Sequence, residues 1–374
     1  MSVMSEQSRR WASTMSGHLS DDPALRTAHH PIVHLAGSST ILDREAREAE
    51  EDWLLAPGAT RSVGAGSRAT EELADPWRTC FERDRDRILH STAFRRLAGK
   101  TQVFIFPADH QRTRLTHALE VEQVASAISR ACRLNVALTE AIALGHDCGH
   151  GPGGHASEEA LSPFLEEGFD HAVWGADVTA APLNLCAETL DGIRNHSWSR
   201  PSPGTPEGEV VALADRIAYC AHDLEDAIHA QIVTSEELPP LVAEHCGNTR
   251  GRQLDAFVTD AVTTTLSSGA VAISETMGEA LEVLRRFNYE RIYLRQASLD
   301  QSSAVVELLR ALVDHYTTHP RTLPLGAELV PGDQATVRAA VGYVSGMTDR
   351  FACTKAVELF GDRAAALVNA MKPL

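Results

Sequence analysis

A chain of 374 residues with 43% hydrophobic side chains is long enough to bury one large core or two ordinary ones. Its 51 acidic residues against 34 basic ones leave a net charge of -17, which argues against a broad non-specific nucleic-acid surface while leaving room for local basic pockets. Seven cysteines, odd in number and without CxxC spacing, argue against a disulfide framework and fit reduced thiols.

The first residues lack the apolar core of about 7–15 residues that a secretory signal needs, and no stretch reaches the roughly 18 apolar residues of a membrane span. A cytoplasmic, soluble protein is expected. Residues 1–57 read as a variable, flexible segment interrupted by an acidic helix, LDREAREAEEDWLL, and GATRSVGAGSRA at 58–69 reads as extended or mobile. From about residue 76 the spacing is helical almost throughout, with TQVFIF at 101–106 as a short strand or an extended connection. The proline-rich SRPSPGTPEG at 199–208 predicts a loop before a strong helix, and helices are expected at 255–267, 273–287, 300–317, 333–346 and 352–371. The fold class is therefore all-α, with few or no strands.

Three helices direct polar groups inward. In residues 112–134, His117, Val121, Val124 and Ile128 share one stripe, so His117 faces the core. In 137–147, Leu138, Ile142 and His146 line up, and Asp147 follows where the helix ends; the glycines at 149, 151, 153 and 154 free the backbone to turn a second ligand toward the same centre. In 210–230 an apolar stripe of Val210, Leu213, Ile217, Leu224 and Ile228 lies apart from a polar one of Asp215, Tyr219, Asp223 and Asp226. A solvated face accounts for that polar stripe as simply as an internal one does, although Asp215 sits in the apolar run VVALAD.

Taken together, His117, His146, Asp147 and Asp215 form a mixed nitrogen and oxygen set suited to one divalent first-row metal with open positions for water or substrate. A rival zinc set would be His146, Cys148, His150 and His155, but Gly149 and GPGG at 151–154 make the continuous helix required by HxxxH spacing the weaker reading.

The stretches ERDRDRILHSTAFRRLAGKTQVF (82–104), RTRLTHALEV (112–121), HDCGHGPGGHASEEAL (146–161), FDH (169–171), LNLCAETLDGIRNHSW (183–198), ADRIAYCAHDLEDA (214–227) and GMTDRFA (346–352) occur in the order found in one family. In them the chain resembles the HD-domain deoxynucleoside triphosphate triphosphohydrolases, the dGTPase-like proteins. The resemblance implies an HD core over 58–230, a helical C-terminal extension over 231–374, and cleavage of a dNTP between its 5' oxygen and α-phosphorus. It implies one divalent ion per site, Mn²⁺ or Mg²⁺ first and Fe, Co, Ni or Zn as alternatives, held by His117, His146, Asp147 and Asp215.

By position, the resemblance makes His155 a catalytic histidine supported by Glu158, and His150 and His171 further active-site histidines near the phosphates. It assigns Arg114 and Arg216 to phosphate contacts, Tyr219 and Asp223 to the sugar, and Gln102 to the sugar near its 3'-hydroxyl. It also implies a homo-oligomer, tetramer or hexamer, with a dNTP or single-stranded DNA as a potential effector. Three stretches depart from the common pattern: GPGGH replaces PPFGH, HAVWGADV replaces the HNEQS type, and YERIY replaces YRHP. At Gly153 the aromatic wall of the pocket is missing, so the site is either wider or filled from elsewhere. The arginines of RDRDRILHSTAFRRL read equally as a solvated helix face or an anion site, and Trp174 and Trp198 read as packing residues.

Overall fold

The structure, a computed structural model, describes residues 5–13, 17–19, 22, 24–29, 41–107, 110–324, 326 and 328–371. Residues 1–42 and 43–374 form separate units. In the first, α1 (Glu6–Ser13) precedes β1 (His18–Leu19) and β2 (Arg26–Thr27), an antiparallel pair with His18 opposite Thr27. The second contains α2 (Arg44–Leu54), α3 (Cys80–His90), α4 (Thr92–Arg96), α5 (Arg114–Ala131), α6 (Val136–Gly145), α7 (Ala156–Leu161), α8 (His171–Trp174), α9 (Ala187–Asn195) and α10 (Pro206–His229). It continues through α11 (Pro240–His245), α12 (Arg250–Ser268), α13 (Glu275–Asn288), α14 (Gln296–Thr318), α15 (Gln334–Ser345), α16 (Asp349–Phe360) and α17 (Asp362–Ala370). The fold is all-α, as the helical spacing predicts. No helix among the described residues is long and apolar enough to cross a membrane.

Local chemistry sets the helix ends that matter for the site. Thr205 caps α10 by accepting from the Gly208 backbone N–H, and Pro206 occupies the first turn, where a missing N–H costs nothing. Asn135 caps α6 in the same way through Leu138 N–H. The predicted helix over 352–371 is two helices, because Gly361 takes a left-handed backbone (φ 59°) that ends α16. TQVFIF is neither a strand nor an extended connection: Thr101 makes an isolated bridge to Thr113, residues 102–106 are a run of bends, and Phe106 has a φ of 53°; residues 108 and 109 lie outside the described set.

The inward stripes pack as their spacing requires. Val121, Val124, Ile128, Leu138, Ile142, Leu213 and Ile217 join Phe257, Leu281 and Leu284 in one buried cluster, so helices beyond residue 230 share the core of α5, α6 and α10. Each such side chain contributes about 1.5–3 kcal/mol on burial. A second cluster joins α7 to α14, α15 and α16. Trp174 is buried there beside Phe169, whereas Trp198 is half exposed and carries the Arg216 guanidinium 3.8 Å from its ring centre. All seven cysteines are free and buried.

The charged face of α3 is neutralised within the chain: Arg85 pairs with Glu140 and Asp86, and Arg87 pairs with Glu72. The irregular segment 58–69 is tied down as well. Glu51 accepts from Ser62, and Arg68, nearly inaccessible, pairs with the buried Asp84. Glu207 is fully buried and accepts from the backbone N–H groups of Thr60 and Asn135 and from the Thr60 hydroxyl, so it ties this segment to the start of α6. Removing the carboxylate leaves three donors without it, the Asn135 N–H buried and the two of Thr60 partly so. Glu207→Ala is expected to lower stability by about 1–3 kcal/mol, read as a lower urea midpoint at unchanged slope.

Candidate metal centre

α5, α6 and α10 pack against one another and bring four donor residues to one point. His117 Nε2 lies 3.0 Å from Asp215 Oδ1 and 3.9 Å from Asp147 Oδ2. His146 Nε2 lies 3.5 Å from Asp147 Oδ2 and 3.8 Å from Asp215 Oδ1. The polar stripe of α10 thus faces inward rather than to solvent. His146 Nδ1 is 2.6 Å from the Ala143 carbonyl oxygen and donates to it, which leaves a lone pair on Nε2. That Nε2 is buried and has no hydrogen-bond partner. An orphaned lone pair between two carboxylates is what a cation completes, so the residues fit a divalent ion.

The charge balance agrees. Burial opposes ionisation of Asp147, yet Arg114, His146 and His150 outweigh it and hold the carboxyl well below the usual range. Arg114 is almost fully buried and donates from Nη1 to Asp147 Oδ2 at 2.7 Å. Two carboxylates and one guanidinium, with the imidazoles neutral as ligation requires, leave one negative charge for a cation to offset. The Cys148 thiol donates weakly to the Leu144 carbonyl at 3.8 Å, and burial pushes its pKa up to about 12. Among the described residues Cys148 joins none of the close donor groups, so the rival zinc set does not assemble.

The centre is surrounded by groups with unused capacity. Arg114 Nε and Nη2 and Gln102 Oε1 are buried without partners. His150 Nε2 is 3.2 Å from Asp147 Oδ1, and its ring stacks on His171 at 3.7 Å. His155 is solvent-exposed with its ring 5.2 Å from that of His150. Glu158 Oε1 accepts from both the backbone N–H and Nδ1 of His171, so the hydrogen-bonded imidazole is His171 and not His155. Arg216 turns away to Trp198, the Tyr219 hydroxyl accepts from Arg285, and Asp223 is engaged by Arg112 and the Tyr293 hydroxyl.

A family model described as the HD domain matches residues 114–220, the span that holds all four donors, and one described as the phosphohydrolase-associated domain matches 271–358. A deoxyguanosinetriphosphate triphosphohydrolase-like protein of Caldanaerobacter subterraneus subsp. tengcongensis is 43% identical over 328 residues, covering 85% of this chain and 95% of that protein. Proteins of the same description from Clostridium perfringens (strain 13) and Desulfatibacillum aliphaticivorans are 40% and 37% identical, covering 80% and 85% of this chain and 91% and 97% of theirs. The chain belongs to this family of HD-domain phosphohydrolases.

Within the HD-domain chain, residues outside the expected set hold the site together. Asp349 accepts from Gly153 N–H on one oxygen and from the Thr101 N–H and hydroxyl on the other. Lys100 Nζ donates to the carbonyls of His150 and Ser345. His196, whose Nε2 lies 3.2 Å from that of His171, joins the imidazole cluster. The only sequence signal for Asp349 and His196 was their position inside GMTDRFA and LNLCAETLDGIRNHSW, the motif stretches that carried the resemblance. Sequence spacing gave no sign of Val305. A Cβ on Gly153, at φ 74°, would meet Val305 Cγ1 at 2.5 Å, so α14 fills the place where a side chain is missing. Gly153→Ala is expected to lose about 1–2 kcal/mol from its left-handed backbone alone. Adding Val305→Ala is expected to recover the steric remainder, measured as a double-mutant coupling; strictly additive losses would show that Val305 is not the obstacle.

Proposed function

We propose that the chain hydrolyses deoxynucleoside triphosphates, dGTP or several dNTPs, to deoxynucleoside and inorganic triphosphate, and so acts on dNTP pools. The observation that carries this reading is the convergence of His117, His146, Asp147 and the partly buried Asp215, with donor atoms 3.0–3.9 Å apart, beside Arg114, whose Nε and Nη2 have no partner. The names of its relatives supply the nucleotide class. The chemistry of a divalent ion at that set, Mn²⁺ or Mg²⁺ first, is polarisation of a phosphoryl oxygen and easier deprotonation of water.

In this reading the unused guanidinium N–H groups of Arg114 bind phosphate oxygens as a fork. Gln102 Oε1 accepts from the sugar 3'-hydroxyl, and the Tyr219 ring stands where a ribose 2'-hydroxyl would collide with it, giving a deoxy preference. His150 and His171 contact the phosphates, Glu158 fixes the orientation of His171 by accepting from its Nδ1, and His155 relays a proton at the departing 5' oxygen. Asp223 acts from the sugar side through its neighbours Arg112 and Tyr293. From the resemblance we also propose a homo-oligomer, tetramer or hexamer, open to a dNTP or single-stranded DNA effector.

One observation favours a second reading. Arg216 is stacked on Trp198, which leaves Arg114 to carry more of the phosphate charge, and a substrate with fewer phosphates would suit that balance better. Incubation with a nucleotide panel and Mn²⁺ or Mg²⁺ separates the two. Deoxynucleoside with triphosphate is the expected outcome; diphosphate, monophosphate or cyclic products would sink the first reading. His146→Ala with Asp147→Ala is expected to abolish turnover, and His155→Ala to lower kcat by about 10²–10⁴-fold, with KM nearly unchanged.

A further inference from the structure

Two of the free thiols stand side by side beneath the glycine-rich segment 58–69. Cys80 opens α3 and Cys186 immediately precedes α9, and both are almost inaccessible. Gly66 lies over them at φ 83°: a Cβ on it would overlap the Cys186 sulfur and come within 2.8 Å of Cys80 Cβ and 3.4 Å of Cys80 Sγ. A hydrogen bond between the two thiols is the largest influence on either.

One buried ion pair fixes both backbones. Arg68 Nη1 meets Asp84 Oδ1 at 2.6 Å, Arg68 Nη2 donates to the Cys80 carbonyl at 2.9 Å, and Asp84 Oδ2 accepts the Cys186 N–H at 2.8 Å. Arg68 also forms an isolated antiparallel bridge with Cys186. Separating the sulfurs would break this pair, and an uncompensated buried charge is strongly destabilising, so their approach is part of the frame.

The two thiols differ in character. The pKa of Cys80 is lowered by the hydrogen bond from Cys186 and by the Val63 backbone N–H, against the opposing effect of burial, and its place in the first turn of an 11-residue helix favours an anion. The same hydrogen bond, burial and Asp84 raise the pKa of Cys186. Cys80 is the readier thiolate and Cys186 the partner that keeps its proton. The cover over them is thin: Gly66 is partly exposed and has no side chain, Val63 is exposed, and the turn closes through the Gly66 N–H to the Val63 carbonyl at 2.9 Å.

We infer that Cys80 and Cys186 form a modification site, a thiol pair that a hydroperoxide converts to a disulfide. The Cys80 thiolate attacks the O–O bond of hydrogen peroxide, which breaks; Cys80 becomes a sulfenic acid, and the displaced hydroxide takes a proton to leave as water. The Cys186 sulfur then attacks the Cys80 sulfur, the S–S bond forms as the S–O bond breaks, and the hydroxide leaves with the Cys186 proton as a second water. The thiols give up two electrons and the peroxide accepts them. The new bond closes a covalent loop that contains His117, His146 and Asp147. It needs neither metal nor nucleotide, so it stands independently of the proposed function.

The test exposes the reduced full chain to hydrogen peroxide, blocks remaining thiols with N-ethylmaleimide in denaturant, and maps the digest by mass spectrometry. A Cys80–Cys186 linked peptide that separates on reduction is expected, with alkylated thiols falling from seven to five as two enter the bond. In Cys186→Ser the reaction is expected to stop at a Cys80 sulfenic acid that dimedone traps, while Cys80→Ser is expected to leave Cys186 unoxidised. Dimedone on Cys186 in place of Cys80 would overturn the assigned order. Recovery of both residues as free thiols, or their linkage to other cysteines, would overturn the pair itself, and the unaltered protein decides that whether or not the variants fold.

Discussion

The arrangement depends on keeping the Asp147 carboxylate charged while it is buried. An isolated carboxylate at that depth costs several kcal/mol, and here its two oxygens are served from opposite sides. Arg114 meets Oδ2 at 2.7 Å, and His150 meets Oδ1 at 3.2 Å. Arg114 is itself almost inaccessible, so each charge is tolerated only because the other is present. This pairing requires α5 to lie against the end of α6, and it requires the chain to turn sharply after Asp147. Gly149 lets the backbone of α8 approach this turn closely, because a Cβ there would sit 2.0 Å from the His171 carbonyl oxygen.

The turn is held by the C-terminal half of the chain. Asp349 at the start of α16 takes the Gly153 N–H and anchors Thr101, Lys100 bridges the His150 and Ser345 carbonyls, and Val305 of α14 packs against Gly153. These contacts give the helical extension a direct part in fixing His150 and the segment leading to His155. They also explain physically why the part matched by the phosphohydrolase-associated domain travels with the HD domain in this chain.

Much of this was legible in the sequence because helical periodicity is local. The stripe through His117, Val121, Val124 and Ile128 and the one through Leu138, Ile142 and His146 fixed which way two donors face, and both stripes are buried. The second face of α10 was ambiguous because a row of acids looks the same whether water or a buried arginine neutralises it. Arg112, which engages Asp223 and Asp226, resolves it only through tertiary contact. The pairing of Glu158 with His171, the stacking of Arg216 on Trp198 and the filling of the Gly153 gap by Val305 all join residues 13 to 152 positions apart or in adjacent elements, and spacing carries no record of them. The break at Gly361 was missed because a single glycine ends a helix only when its backbone turns left-handed.

The central claim is that the donors around Asp147 direct water to the α-phosphorus of a bound nucleotide. Turnover in heavy-oxygen water, followed by mass spectrometry of both products, tests it most directly. The account predicts one labelled oxygen in the inorganic triphosphate and none in the deoxynucleoside. Label in the 5'-hydroxyl of the deoxynucleoside would mean attack at carbon, and would contradict it.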